Sequence, residues 1–144
     1  MGLRTFAFAL VFTVLQAALH HAAAVDSTWN YDGADNWNAA SRWTNGIPNA
    51  VDDTARLIHQ IAASRTITLD VPVMLGTLEI GDVSGGHSYT LSGSNALTFQ
   101  TTSGNAILRK LNDGGTDYVS VPIVLNSTLE ISVYDPTDNQ VLIL

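Results

Sequence analysis

The side chains of this sequence that are best suited to chemistry stand in two adjacent pairs. Asp52 and Asp53 are neighbouring carboxylates, and Arg109 and Lys110 are neighbouring cations. Neighbouring side chains of an extended chain point to opposite faces, so the members of either pair are not expected to act together as acid and base. Asp52 and Asp53 are more typical of a solvated turn. We therefore predict a protein that is not an enzyme.

Motifs for nucleophiles and metals are equally sparse. His59 and His87 have no serine, cysteine or carboxylate placed for them by a recognisable motif, which leaves a catalytic triad without support. Residues 113–117 (DGGTD) depart by one position from the glycine- and aspartate-rich calcium repeat, and they occur only once. Residues 135–139 (DPTDN) are typical of a turn. The sequence therefore predicts no catalytic residue, no cofactor and no metal.

Three tryptophans form the most specific pattern in the chain. Trp29, Trp37 and Trp43 follow the spacing W-x7-W-x5-W-x2-G-x-P-x3-D. The segment between them is too polar for a helix, so each indole is expected to anchor an irregular segment to the start of a β-structure as a cap. The alternative is a sugar-stacking platform, which requires exposed indoles because a pyranose stacks on the apolar ring face.

Residues 1–24 have the features of a secretory leader. A single Arg4 precedes the apolar stretch at residues 6–15, and Ala22 and Ala24 stand as an A-x-A cleavage signal. A membrane anchor needs about 20 apolar residues without interruption, and Gln16 interrupts this stretch. We predict cleavage after Ala24, a secreted or cell-surface location, and no membrane span in the mature chain.

Charge and cysteine content narrow the class of protein further. The chain has six basic and thirteen acidic residues and no cysteine. Arg4 is the only charged residue that cleavage of the leader would remove. Such an acidic surface disfavours nucleic acid and anionic lipid as partners. Without disulfides, the exported domain must be held by burial and by the hydrogen bonds of its strands.

After Pro48 the sequence is dominated by short alternating segments between turn residues, which is typical of strands. The segments expected to be strands are residues 55–61, 66–70, 77–80, 89–91, 96–99 and 128–133. Residues 71–80 and 121–131 also match each other as V-P-[VI]-[MV]-L followed by T-L-E-I. Because proline cannot donate to a strand ladder, Pro72 and Pro122 predict equivalent corners of stacked coils.

The pattern as a whole resembles a known family of exported bacterial proteins. The tryptophan opening, followed by residues 67–70 (ITLD), 75–81 (LGTLEIG), 89–93 (YTLSG) and 121–125 (VPIVL), resembles proteins with autotransporter-associated β-strand repeats, including PEP-CTERM-type sorted proteins. The resemblance implies an all-β, right-handed parallel β-helix displayed at or outside the cell surface, and it implies no catalytic residues. The expected organisation is a leader at 1–24, a tryptophan-rich cap at 25–54 and roughly three coils at 55–144.

These features predict a non-catalytic β-solenoid passenger with a structural or adhesion role. Two alternatives remain, a module that binds extracellular polysaccharide or a cell-surface component, and a truncated polysaccharide lyase. The last residues, Gln140 to Leu144, form an apolar strand without a charge or a proline. An open coil end exposes backbone groups and apolar side chains, so we expect a truncated solenoid that associates end to end.

Overall fold

The computed structural model describes residues 23–111, 115–134 and 141–144. Short strands and one turn of 3-10 helix, Ala40–Arg42, make up its regular structure. The strands are β1 (Asp26–Thr28), β2 (Asp35–Asn36), β3 (Thr54–Leu57), β4 (Arg65–Thr68), β5 (Val73–Leu75), β6 (Thr77–Ile80), β7 (Tyr89–Ser92), β8 (Leu97–Phe99), β9 (Ala106–Lys110), β10 (Thr116–Ser120), β11 (Ile123–Leu125), β12 (Leu129–Val133) and β13 (Val141–Ile143). Most of the predicted leader, residues 1–22, lies outside the described residues.

The strands form three parallel sheets that the chain visits in a fixed order. Sheet 1 has the order β1-β3-β6-β9-β12, sheet 2 the order β13-β10-β7-β4-β2, and sheet 3 the order β11-β8-β5. Each strand pairs in parallel with the strand one turn earlier or later. The chain is therefore an all-β parallel solenoid, as the sequence predicts, and it has about four turns where the sequence analysis expected a cap and roughly three coils.

Inward side chains of successive turns lie above one another and form the core. In sheet 1, Ala55, Leu78 and Leu108 are aligned, and all three are fully buried. Ile67 and Leu91 are aligned and buried in the same way in sheet 2. A single turn has no opposing layer of its own, so burial comes from stacking on the turns before and after it.

The internal repeat seen in the sequence is confirmed in one sheet and shifted in another. Pro72 and Pro122 both lie immediately before strands of sheet 3, at equivalent corners. In sheet 1, however, Leu78 aligns through β9 with Ile131 and not with its sequence counterpart Leu129. A shift of two residues keeps apolar side chains on the inner face, whereas a shift of one would reverse them.

The first predicted strand is shorter than the sequence indicated. It covers Thr54–Leu57, and the prediction for residues 58–61 is wrong. Here the chain turns a corner, where the carbonyl of Leu57 accepts a hydrogen bond from the amide of Gly81 and Ile61 reaches the core through its own side chain. An apolar run of this length does not distinguish a strand from a buried corner.

Close packing between turns requires glycine at a corner of sheet 2. Gly93 has a φ of 134°, and a Cβ atom there would lie 2.7 Å from the carbonyl oxygen of Leu69 in the preceding turn. Both the backbone conformation and the space therefore exclude a side chain. At this corner the glycine is therefore required by contact between coils.

Candidate functional site

The three tryptophans form a buried cluster in the first turn. Trp29 and Trp37 are 0% exposed and Trp43 is 6% exposed. The rings of Trp29 and Trp43 meet edge to face with centroids 5.3 Å apart, and those of Trp37 and Trp43 are tilted at 4.7 Å. This confirms that the indoles serve as apolar anchors. The sugar-platform alternative needs open ring faces, which this arrangement does not offer.

Each indole N–H of the cluster is also satisfied by a backbone carbonyl. Trp29 donates to Tyr31 at 2.9 Å, Trp37 to Pro48 at 3.1 Å, and Trp43 to Trp37 at 2.8 Å. These bonds fix the irregular segments before and after β2, because they join residues that no sheet ladder connects. The polar edge of each ring is thereby used in the cap itself.

Ion pairs fasten the outer side of the first turn. The Nε group of Arg42 donates to Asp35 at 2.7 Å, while its guanidinium lies 3.8 Å from the ring centre of Tyr31. Arg65 reaches back to Asp32 with Nε at 2.9 Å and Nη2 at 2.7 Å. The hydrogen bonds from these arginines hold the pKa of both carboxyl groups below 3.8.

Asp52 and Asp53 occupy one corner but serve different partners. Asp52 has a φ of 67°, and its carboxylate accepts hydrogen bonds from the amide and the hydroxyl of Thr102. Asp53 is 3% exposed and accepts hydrogen bonds from the amides of Val25 and Asn49. The two carboxylates therefore fasten separate segments of the chain, and the arrangement does not pair them as an acid and a base.

Arg109 and Lys110 point to opposite faces of β9, as alternation along a strand requires. Arg109 is exposed and its Nη1 group donates to Glu79 at 2.9 Å. Lys110 is fully buried, and its Nζ atom lies 2.6 Å from Oδ2 of Asp117. The two cations do not share a surface, which leaves the basic pair unsuited to a common substrate.

Asp117 was assigned by sequence to a possible calcium turn, and the structure places its carboxylate inside the solenoid. It is fully buried, where Oδ2 meets Lys110 and Oδ1 accepts the amide of Tyr89 at 2.7 Å. Residues 112–114 of that turn lie outside the described residues. The Lys110 and Asp117 pair was missed because the only sequence signal for it is an inward position on two different strands.

A second buried carboxylate lies near the same corner. Asp82 is fully buried and accepts hydrogen bonds from the amides of Ile61 and Ser84 and from the Ser84 hydroxyl. Burial, followed by the charge of Asp82, raises the pKa of the Tyr89 phenol far above 10.0. That phenol donates to the carbonyl of His59 at 2.8 Å. His59 thus contributes a backbone contact here, and its imidazole takes no part in it.

A ladder of charges runs across the outer face of sheet 1. Arg56 bonds to Asp26 and, through Nε at 2.7 Å, to Glu79. Glu79 also accepts a hydrogen bond from Nη1 of Arg109 in the following turn, at 2.9 Å. Residues 56, 79 and 109 are aligned in the register of β3, β6 and β9, so the ladder follows directly from the stacking. We call these four side chains the outer charge ladder.

The last turns leave an apolar face open. Leu125 lies over Phe99, Ile131 over Leu108 and Val133 over Lys110, so these three side chains continue columns of the core. They are nevertheless 57%, 47% and 41% exposed. We call Leu125, Ile131 and Val133 the end face. No large hydrophobic residue before Val83 is exposed in the described part of the chain.

Within the described residues, no group of three or more His, Asp or Glu side chains is arranged to hold a metal ion. The same residues contain no helix that is long and apolar enough to cross a membrane. The turn predicted at residues 135–139 lies outside the described residues. Compared with protein-family models, curated proteins and solved structures, the chain gives no match.

Proposed function

We propose that this protein is a non-catalytic, exported β-solenoid with a structural or adhesion role at the cell surface. The observation that carries the proposal is the outer charge ladder. Arg56, Glu79 and Arg109 bond to one another from turn to turn, and so their charged groups serve cohesion between coils. Inside the solenoid, the buried pair of Lys110 and Asp117 joins sheets 1 and 2 within one turn, and Asp117 also accepts the amide of Tyr89 from the preceding turn. A solenoid built in this way presents a rigid lateral surface.

The resemblance to autotransporter-associated repeats and to PEP-CTERM-type proteins supports display outside the cell. It rests on the tryptophan opening and on the short segments after it. The leader-like residues 1–24 support the same location. Sequencing the amino terminus of exported protein tests this part of the proposal, because a mature chain should begin at Val25. A retained leader would overturn the proposed location.

Catalysis is tested directly with polysaccharide substrates. We expect no turnover of pectate, alginate or neutral glycans, with or without calcium. Arg109 bonds to Glu79, and Lys110 is buried, so the basic pair lacks the free cation that a lyase needs. Reproducible cleavage that is lost in Arg109→Gln would overturn the non-catalytic assignment. Binding of a glycan without cleavage would instead favour the polysaccharide-binding module.

The end face supports self-association, and we propose that its partner is the end face of a second copy. In the described residues of the first turn, the three indoles are buried and no large hydrophobic side chain is exposed. Among the described residues, β12 has only β9 beside it in sheet 1. Like faces meeting about a two-fold axis close into a dimer, whereas a head-to-tail contact would extend into a fibre.

Light scattering of the protein over a range of concentrations tests this contact. We expect a dimer whose dissociation constant rises at least tenfold in Ile131→Lys, because a charge would be buried between the two faces. Val124→Lys is the matched control, since Val124 has a similar exposure but is aligned with the outward-facing Thr98. A monomer at high concentration, or open-ended fibres, would contradict the two-fold arrangement.

A further inference from the structure

Asp53 is a buried carboxylate that is held by backbone amides. Its Oδ1 atom accepts the amide of Val25 at 2.7 Å, and its Oδ2 atom accepts the amide of Asn49 at 2.8 Å. The residue is 3% exposed, and it takes part in none of the ion pairs among the described residues. Buried carboxylates are normally paired with a cation, because neutral donors replace only part of the lost hydration.

Val25 lies where the exposed chain enters the first strand. Ala23 and Ala24 are exposed, whereas Val25 is half-buried. The carbonyl of Val25 accepts the amide of Thr54 at 2.7 Å, which continues the pairing of β1 with β3. The register of the sheet therefore fixes the nitrogen of Val25 beside Asp53.

We propose that cleavage between Ala24 and Val25 completes this site by creating a buried salt bridge between the new amino terminus and Asp53. Hydrolysis adds the hydroxyl of water to the Ala24 carbonyl and its hydrogen to the Val25 nitrogen. At neutral pH the proton of the new carboxyl group passes to the amine, so the leader leaves as a carboxylate and Val25 carries an ammonium group. That ammonium keeps the existing hydrogen bond and adds a charge.

The position of the cut decides whether the ion pair forms. Consecutive Cα atoms are about 3.8 Å apart, so an amino terminus at Ala24 would carry its charge one residue away from the carboxylate. Residue 24 is exposed, and its ammonium would be solvated. A cut after Val25 would remove the nitrogen that now contacts Asp53. The ion pair therefore forms only when Val25 is the first residue of the mature protein.

The mature chain is suited to a direct test. Every residue of the described core lies after Val25, so removal of the leader takes nothing from that core. The only lysine in the sequence is Lys110, which is fully buried. Acetylation in urea near neutral pH, where an α-amino group (pKa about 8) reacts far more readily than a lysine (pKa about 10.4), should modify Val25 and remove its charge in the refolded protein. Mass spectrometry of a peptide digest confirms the position of the acetyl group.

The inference rests on the proposed export, because export supplies the enzyme that cuts the chain. The test does not depend on export, since it uses the mature chain itself. Urea unfolding compares acetylated and free mature protein in the wild type and in Asp53→Asn. We expect acetylation to raise the unfolding equilibrium constant of the wild type about tenfold, the difference between a charge-assisted and a neutral hydrogen bond. In Asp53→Asn the same modification should change it less than twofold.

A second variant covers the case in which Asp53→Asn does not fold. A mature chain that retains Ala24 as its first residue keeps Asp53 and displaces the ammonium, so it should lose the same tenfold factor. Equal effects of acetylation in wild type and Asp53→Asn, or no effect of either acetylation or the retained Ala24, would overturn the salt bridge. Such a result would leave export itself to be decided by amino-terminal sequencing.

Discussion

Replacement of Lys110 by methionine tests how much the buried ion pair between β9 and β10 stabilises the later part of the solenoid. Lys110 and Asp117 are both 0% exposed, with Nζ and Oδ2 2.6 Å apart. At an effective dielectric constant of about 20, their attraction is about 6 kcal/mol. Most of this is offset by the hydration that both groups lose on folding. Lys110→Met removes the attraction and leaves the carboxylate of Asp117 buried, which should cost about 3–5 kcal/mol.

Two further variants separate the charge from the packing. Lys110→Met combined with Asp117→Asn buries no charge, and the amide oxygen of asparagine can still accept from Tyr89. This double variant should therefore be more stable than Lys110→Met alone. Arg109→Met is the matched control on the same strand, since the exposed pair of Arg109 with Glu79 is expected to contribute at most about 1 kcal/mol.

Urea unfolding followed by two signals gives the measurement. Circular dichroism reports on strands throughout the solenoid, whereas tryptophan fluorescence reports only on the first turn, because Trp29, Trp37 and Trp43 all lie there. Turns of a solenoid contact only their neighbours. Lys110→Met should therefore lower the urea midpoint seen by circular dichroism more than the midpoint seen by tryptophan fluorescence. The reasoning would be refuted if Lys110→Met lowered the free energy of unfolding by less than about 1 kcal/mol, or if Arg109→Met lowered it by the same amount.

Three other predictions follow from the packing. Trp37→Ala should cost about 3–5 kcal/mol in urea unfolding, because it removes a fully buried ring and leaves the carbonyl of Pro48 without its donor; Trp37→Phe should cost less. Gly93→Ala should lower the thermal midpoint more than Gly104→Ala, since both have positive φ but only Gly93 faces a backbone oxygen at 2.7 Å. Since the Tyr89 phenol has a raised pKa when folded, its contribution to stability should be fully present below the unfolded value of 10.0 and lost progressively as the pH rises from there towards the higher folded value. Above pH 10.0, the free energy of unfolding should therefore fall less steeply with pH in Tyr89→Phe than in the wild type.

Much of the local structure could be predicted because it depends on neighbouring residues. Alternation of apolar and polar side chains marked β6, β7 and β12, and the two prolines marked the corners before β5 and β11. The spacing of the tryptophans indicated a buried cap, and the structure buries all three. Alternation also showed that Arg109 and Lys110 face opposite sides. Each of these inferences needs only the period of a strand or the backbone limits of one residue.

Contacts between turns were decided by the tertiary structure alone. The two-residue shift between the repeats leaves the pattern of each strand unchanged, so no local signal reveals it. The pairing of Val25 with Asp53 joins two turns, and that of Lys110 with Asp117 joins two sheets of one turn; both positions are fixed only when the sheets assemble. The sequence by itself determined that short strands follow Pro48 and which side of β6, β7 and β12 is apolar. The stacked coils then determined which charges meet, because a parallel solenoid brings each residue next to one from another turn.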